Sequence, residues 1–119
     1  MKDNIIQNKA FQFSLSIIEL YKKLIEEKEF ILSKQLLRSA TSIGANIEEA
    51  NAGISKKDFI SKLSISSKEA RETRYWLRLY QESKLTSINV EKELKAVEEI
   101  IRILTAIVKT SQTKLKENI

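Results

Sequence analysis

The polar side chains that could do chemistry in this sequence begin with a group of five in its first half. Gln35, Arg38, Ser42, Asn46 and Glu49 follow one another at intervals of three or four residues. On a helix this spacing places all five on one face. A guanidinium, a carboxylate, amides and a hydroxyl on one face can form either a hydrogen-bonded ion network or an active site.

A second group, Lys68, Glu69, Arg71 and Glu72, supplies charges that could face the first from another helix. Proteins tolerate charges between helices when the charges are paired in this way. Ser42 has only carboxylates as candidate bases, so we interpret it as a hydrogen-bonding group and not as a nucleophile. We therefore predict a structural or assembly network that fixes the register of two helices or of two subunits. The predicted network consists of Gln35, Arg38, Ser42, Asn46, Glu49, Glu69 and Glu72.

The composition removes most catalytic chemistry. The chain has no cysteine and no histidine, which excludes disulfides, thiolate nucleophiles, imidazole catalysis and the usual zinc ligands. Di-iron sites in four-helix bundles normally use a Glu-x-x-His motif on two of the helices. We therefore predict that the protein is not an enzyme and has no catalytic residues, no metal and no cofactor.

The elements that position these groups are predicted to be long helices. The 119 residues include no proline and only two glycines, while 42% are apolar, which suits one domain of a few helices with short connections. Apolar periodicity predicts helices over residues 5–28, 33–51, 55–83 and 89–114 of a single domain, 1–119. The fold class is all-α, an antiparallel up-down four-helix bundle. We expect Ser33 to cap the second helix, Gly53 to take a left-handed conformation after it, and Ser55 with Asp58 to form a capping box.

Two helices carry more apolar surface than one bundle core requires. In helix 1 two apolar stripes are nearly opposite, and in helix 4 a second row runs beside the core seam. The stripes of helix 1 are Phe11, Leu15, Ile18 and Ile25, and Phe13, Ile17, Leu20 and Leu24; the second row of helix 4 is Ile100, Ile103 and Ile107. The surplus predicts burial against other subunits in an oligomer. We interpret Trp76 as a subunit contact rather than a base-stacking platform.

Positive charge is concentrated on the third helix. Residues 55–84 contain eight basic and four acidic residues, which accounts for four of the five net positive charges of the chain. Lys68, Arg71, Arg74 and Arg78 share one face, the basic stripe, and are candidate nucleic-acid-binding residues. Such binding would be directed at the phosphate backbone and strongly salt-dependent. In the alternative interpretation these arginines pair with Glu69, Glu72 and acids of helix 2, or are simply solvated.

No long apolar segment or signal peptide is evident, so we expect a cytoplasmic protein without membrane contact. Three blocks, residues 35–50, 55–63 and 68–79, closely resemble the 23S rRNA intervening-sequence proteins, also called the four-helix bundle protein family. The resemblance implies a ring-shaped homopentamer of antiparallel bundles. That family is similar to the accessory variability proteins of diversity-generating retroelements, pentamers that bind nucleic acid and a reverse transcriptase.

Two functional hypotheses follow from the residues and the resemblance together. In the first, a non-catalytic homopentamer binds RNA or DNA through helix 3 and the basic C-terminal segment as an accessory to a partner enzyme. In the second, the protein is a protein-interaction scaffold with no nucleic-acid role, and its charges serve assembly and solubility only.

Overall fold

Four helices follow the four apolar periodicities of the sequence. A computed structural model describes residues 4–117; residues 1–3 and 118–119 of the predicted domain lie outside this range. The helices are α1 (Asn4–Glu26), α2 (Leu32–Asn51), α3 (Lys56–Ser83) and α4 (Glu91–Glu117). Residues 4–117 contain no strand. The prediction of an all-α chain is therefore confirmed.

Each helix packs against the next in the chain, and α1 also packs against α4, so the four close into a bundle. Neighbouring helices are antiparallel: Gln7 near the start of α1 bonds Glu48 near the end of α2. Glu27, just after α1, accepts a hydrogen bond from Thr86, just before α4. The bundle is 53 Å long and 23 by 22 Å across.

The most extensive contact in the bundle is the one between α2 and α3, where small residues meet. Ser39, Ser66, Ala70 and Thr73 are all fully buried there. Their hydroxyls are satisfied within the interface: Thr73 Oγ1 lies 2.8 Å from Ser39 Oγ, and Ser66 Oγ donates to the backbone oxygen of Ile43 at 2.8 Å. Because buried hydroxyls need partners, these bonds fix the register of α2 against α3.

The N-terminus of α2 is capped by Glu29, and the prediction that Ser33 is the cap was wrong. The Glu29 carboxylate accepts hydrogen bonds from the backbone amides of Ile31, Leu32 and Ser33 at 2.8–3.0 Å. Ser33 is already inside the helix, where its hydroxyl donates to the backbone oxygen of Glu29. A carboxylate reaching forward from the loop satisfies three amides at once, which a serine hydroxyl cannot do.

Ser55 caps α3 as predicted, since its Oγ accepts the backbone amide of Asp58 at 3.1 Å. The prediction for Gly53 was wrong, because neither glycine has a positive φ. Gly53 instead occupies a tight position. A Cβ at this position would lie 3.1 Å from both the Ala50 carbonyl oxygen and an Asp58 carboxylate oxygen.

We therefore expect substitutions of the two glycines to have opposite effects on the stability of the fold. In the middle of α2, a Cβ on Gly44 would lie 3.7 Å from Ala10 Cβ, an ordinary van der Waals contact. We expect Gly44→Ala to stabilise the fold by about 0.5–1 kcal/mol, because alanine favours helix over glycine by that amount. Gly53→Ala should destabilise it, and urea denaturation of both variants measures the difference. Equal effects of the two substitutions would contradict this account.

The surplus apolar surface is distributed between α1 and α4 differently from the prediction. On α1, Phe13, Ile17, Leu20 and Leu24 are buried in the core, while Phe11 and Leu15 are 58% and 44% exposed. Ile18 and Ile25, in the same row as Phe11, are partly buried. On α4, Ile100 is buried in the bundle core and Ile103 and Ile107 pack against it. The surplus is therefore mainly on α1, because much of the second row of α4 is used by the bundle itself.

Candidate nucleic-acid interface

The basic stripe lies on the outer surface of α3. Lys68, Arg71 and Arg78 are exposed and Arg74 is partly exposed. The core residues of α3, including Ala70, Thr73 and Leu77, are buried. Helical periodicity thus turns the four cations outward when the apolar and small residues turn in.

Two of the acids that could neutralise the stripe, Glu69 and Glu72, point elsewhere. Arg38 of α2 forms ion pairs with Glu72 and, at 3.5 Å, with Glu69. The six ion pairs between residues 4–117 include none with a cation of the basic stripe. Glu69 and Glu72 are therefore committed to α2, which removes the specific pairing assumed in the alternative interpretation.

Only part of the predicted network gathers around Arg38. Gln35 Oε1 accepts two hydrogen bonds from the Arg38 guanidinium, at 3.2 and 3.3 Å. With Glu69 and Glu72 these residues form the Arg38 cluster, which joins α2 to α3 at the surface. Arg38 keeps 49% of its side chain exposed. The cluster is consequently screened by solvent and is not a buried charge network.

Three members of the predicted network lie outside the Arg38 cluster. Ser42 Oγ donates to the backbone oxygen of Arg38, and Asn46 Nδ2 donates to that of Ser42, each at 2.8 Å. Glu49 pairs with Lys62 at 2.8 Å, and this carboxylate raises the pKa of Lys62. Shared spacing put these side chains on one face, but only arginine is long enough to reach across to Glu69 and Glu72.

A groove between α3 and α4 widens the basic surface. Arg71 Nη2 donates to Thr105 Oγ1 of α4 at 3.3 Å, which draws the guanidinium toward the groove. Lys109 of α4 lines the same groove, whose volume is about 250 Å³. The other lining residues are Ser64, Ser67, Val108 and Gln112. Two cations and several hydroxyls with no lining carboxylate form a surface suited to phosphate oxygens.

An exposed aromatic residue beside the stripe was missed at the sequence level. Tyr75 is 55% exposed, while Trp76, on which the sequence interpretation concentrated, is partly buried. Trp76 Nε1 donates to Glu72 Oε2 at 3.0 Å, which ties the indole to the Arg38 cluster. The available signal was position: Tyr75 follows Arg71 by four residues and precedes Arg78 by three, so the three are neighbours on one helix face.

Among residues 4–117, no three acidic side chains are grouped so as to hold a metal ion. None of the helices the structure describes is long and apolar enough to cross a membrane. The described chain is therefore a small four-helix bundle protein with an exposed basic face on its third helix.

Comparison with known proteins then places it within that class. A sequence model of the 23S rRNA-intervening sequence protein family matches residues 2–106, and the chain belongs to this family. Its fold is similar to the crystal structure of a protein of unknown function from the S23 ribosomal protein family of Bacteroides thetaiotaomicron. The two are 48% identical with a TM-score of 0.85, over 92% of this chain and 99% of the other. No curated protein matches the chain.

Proposed function

We propose that this protein is a non-catalytic accessory protein that binds RNA or DNA through the phosphate backbone, using the basic stripe of α3. The observation that supports this proposal is the separation of charge on that helix. Two of its four acids, Glu69 and Glu72, pair with Arg38 of α2, while the cations of the basic stripe face outward. A helix with its cations on the outer side presents a positive surface to solvent, and such a surface attracts polyphosphate chains.

The mode of binding follows from what the stripe contains. Arginine and lysine neutralise phosphates and release condensed counterions, which makes affinity fall steeply with salt. Contacts to phosphates position a protein on a nucleic acid without reading its sequence. We therefore expect binding to many sequences and a strong dependence on ionic strength.

Replacing Arg71, Arg74 and Arg78 together with alanine should weaken binding about tenfold or more at low salt. It should also reduce the slope of log affinity against log salt by about 2–3, because roughly 0.7–0.9 counterions are released per phosphate contact. Fluorescence anisotropy with labelled generic RNA and duplex DNA, repeated over a salt series, measures both quantities. The core faces of α3 are untouched, so helicity should be unchanged by circular dichroism.

A matched control removes three charges from other helices. Lys22, Lys23 and Lys34 are all exposed and lie on α1 and α2, so replacing them with alanine causes the same loss of net charge. Affinity should fall much less in this control, since none of its charges lies on α3. Equal losses in the two variants would show that net charge alone governs binding. A wild-type protein that binds neither RNA nor DNA at low salt would overturn the proposal.

We further propose that the bundle assembles as a ring-shaped homopentamer, as the family resemblance implies. The apolar stripe of α1, in which Phe11 and Leu15 are exposed and Ile18 and Ile25 are partly buried, supports burial against a second copy. A closed ring requires two different surfaces that fit each other. The second is proposed to be the α2–α3 face, where Ile65 is 37% exposed. A ring would repeat the basic stripe around its axis and strengthen binding to a long polyanion.

A protein-interaction scaffold without a nucleic-acid role is the second candidate. The exposed side chains of Phe11 and Leu15 favour it, since apolar surface serves protein contacts and not phosphates. The anisotropy series separates the two candidates, because the scaffold hypothesis predicts no salt-dependent binding to either nucleic acid.

A further inference from the structure

Tyr75 combines two properties that are uncommon together on a helix surface. Its side chain is 55% exposed, and its neighbours along the same face are cations of the basic stripe. Arg71 lies one turn before it, Arg78 lies one turn after it, and Lys68 lies two turns before it. Side chains three and four residues apart on a helix have Cβ atoms about 5–6 Å apart. Cations that the proposed function assigns to phosphate binding therefore lie on both sides of Tyr75 along the helix.

The ring is also held in position by contacts on its other side. Tyr75 packs edge-to-face on Trp76, with ring centroids 5.3 Å apart and planes inclined by 68°. Trp76 in turn donates its indole N–H to Glu72, and Glu72 pairs with Arg38 of α2. This series of contacts orients an exposed aromatic ring from the neighbouring helix. An oriented ring loses little conformational entropy when a ligand stacks on it.

We propose that Tyr75 is a stacking platform for an unpaired base, and that the ligand of the basic stripe is single-stranded nucleic acid. This inference rests on the proposed function and specifies its ligand. Proteins that bind single strands combine a positively charged track for the backbone with aromatic side chains on which bases stack. Both parts are present on α3, one turn apart. Every base has a π-face, so such a site tolerates many sequences.

Duplex nucleic acid does not use this arrangement. Its bases are paired and stacked on one another, so their faces are not available to a tyrosine on a convex helix surface. A duplex would contact the cations of the stripe alone. The combination of ring and cations therefore favours a single strand over a duplex of the same charge.

The decisive probes are two labelled DNA oligomers of about twelve nucleotides. One is oligo-deoxyadenylate, and the other is its abasic analogue, which has the same phosphates and sugars but no bases. Wild-type protein should bind the adenylate about 5- to 140-fold more tightly than the abasic oligomer, the range that stacking of one base supports. Tyr75→Ala should abolish this preference without changing the affinity for the abasic oligomer. Tyr75→Phe should retain it, because the ring is kept.

Two controls separate this inference from the proposed function. Phe30→Ala removes an aromatic ring of similar exposure, 50%, from the loop between α1 and α2, and should leave the preference intact. Replacing Arg71, Arg74 and Arg78 with alanine should weaken binding of both oligomers by a similar factor. If that triple variant binds weakly while Tyr75→Ala retains the preference for adenylate, phosphate binding stands and the platform is excluded.

Two further results would overturn the inference. If Tyr75→Ala changes the mass of the assembled particle in light scattering, the Tyr75 side chain is a subunit contact. If wild-type protein binds neither oligomer at low salt, the proposed function and the platform both fail.

Discussion

Glu29→Ala is expected to lower the free energy of unfolding by about 3 kcal/mol and the melting temperature by about 10 °C. Glu29 lies in the loop between α1 and α2, where its carboxylate accepts three backbone amides of the first turn of α2. It also accepts the phenolic hydrogen of Tyr80, near the end of α3. One side chain in the loop after α1 thus connects α2 to α3.

The size of the effect comes from two separate losses. Removing a helix cap costs about 1 kcal/mol, and up to about 2 kcal/mol in favourable cases. Tyr80 is only 1% exposed, so its hydroxyl loses its acceptor and water cannot readily replace it. An unsatisfied buried donor of this kind costs a further 1–3 kcal/mol or so.

The same contacts make this contribution dependent on pH. Burial alone would raise the pKa of Glu29, but the hydrogen bond from Tyr80 and those from the backbone amides hold this pKa below its usual value of 4.5. A carboxylate with a lowered pKa in the folded state stabilises the fold above its unfolded-state pKa. The difference in stability between wild type and Glu29→Ala should therefore be full at neutral pH. It should shrink as the pH falls below about 4.5.

Urea denaturation followed by circular dichroism, at neutral and acidic pH, measures these differences. Glu26→Ala is the matched control, since Glu26 is an exposed carboxylate one turn earlier, and it should change stability by less than about 0.5 kcal/mol. Tyr80→Phe alone should cost about 1–2 kcal/mol. The loss of stability in the double variant should be smaller than the sum of the losses in the two single variants, because both substitutions remove the same hydrogen bond. Additive effects would contradict a direct contact between Glu29 and Tyr80.

Glu29 also illustrates how far the sequence could predict this structure. The four helices follow from apolar spacing, because each core face needs only the right residue types at the right period. The cap of α2 depends instead on a loop that folds a carboxylate back over the first turn. No local pattern encodes that loop. Ser33 has the usual residue type for a cap, but α2 begins before it, so its hydroxyl donates to the backbone oxygen of Glu29 instead.

The sequence predicted the positions of the site residues better than it predicted which side chains contact one another. Helical spacing correctly placed the basic stripe on the outside of α3. The prediction grouped Glu69 and Glu72 with Arg38, as the structure does. It did not reveal that the other polar residues of the α2 face turn to other partners, because that depends on the rotation of α2 against α3. This rotation is fixed by the buried contacts of Ser39, Ser66 and Thr73, which involve two helices at once. The exposure of Tyr75, by contrast, follows from spacing, since this residue shares the helix face of Arg71 and Arg78.

Replacing Phe11 and Leu15 together with glutamate should convert the proposed pentamer into monomers. Both side chains point away from the bundle core and are 58% and 44% exposed. Burying each of them in an interface would contribute about 1.5–3 kcal/mol. Two carboxylates there would have to lose their hydration without a partner, which is more costly still. Multi-angle light scattering should therefore give the mass of one chain for the variant and of five chains for the wild type.

The control for this experiment places the same substitution at the ends of the bundle. Phe30 and Ile54 are 50% and 98% exposed and lie in the loops after α1 and after α2. Their replacement by glutamate removes equal apolar character but leaves the side of α1 intact, so the particle mass should not change. The Phe11 and Leu15 variant should keep its helicity, because Phe13, Ile17, Leu20 and Leu24 still form the core face of α1. A wild-type protein that is monomeric at high concentration would rule out the ring-shaped pentamer.

Assembly and nucleic-acid binding can then be tested against each other. The apolar stripe of α1 and the basic stripe of α3 lie on separate helices that do not pack against one another. Loss of assembly should leave each monomer with its own phosphate-binding surface. A monomeric variant should therefore bind a short oligomer nearly as well as the wild type, but a long strand much more weakly, because it loses simultaneous attachment at several subunits. Equal weakening for short and long strands would instead place the binding site across a subunit boundary.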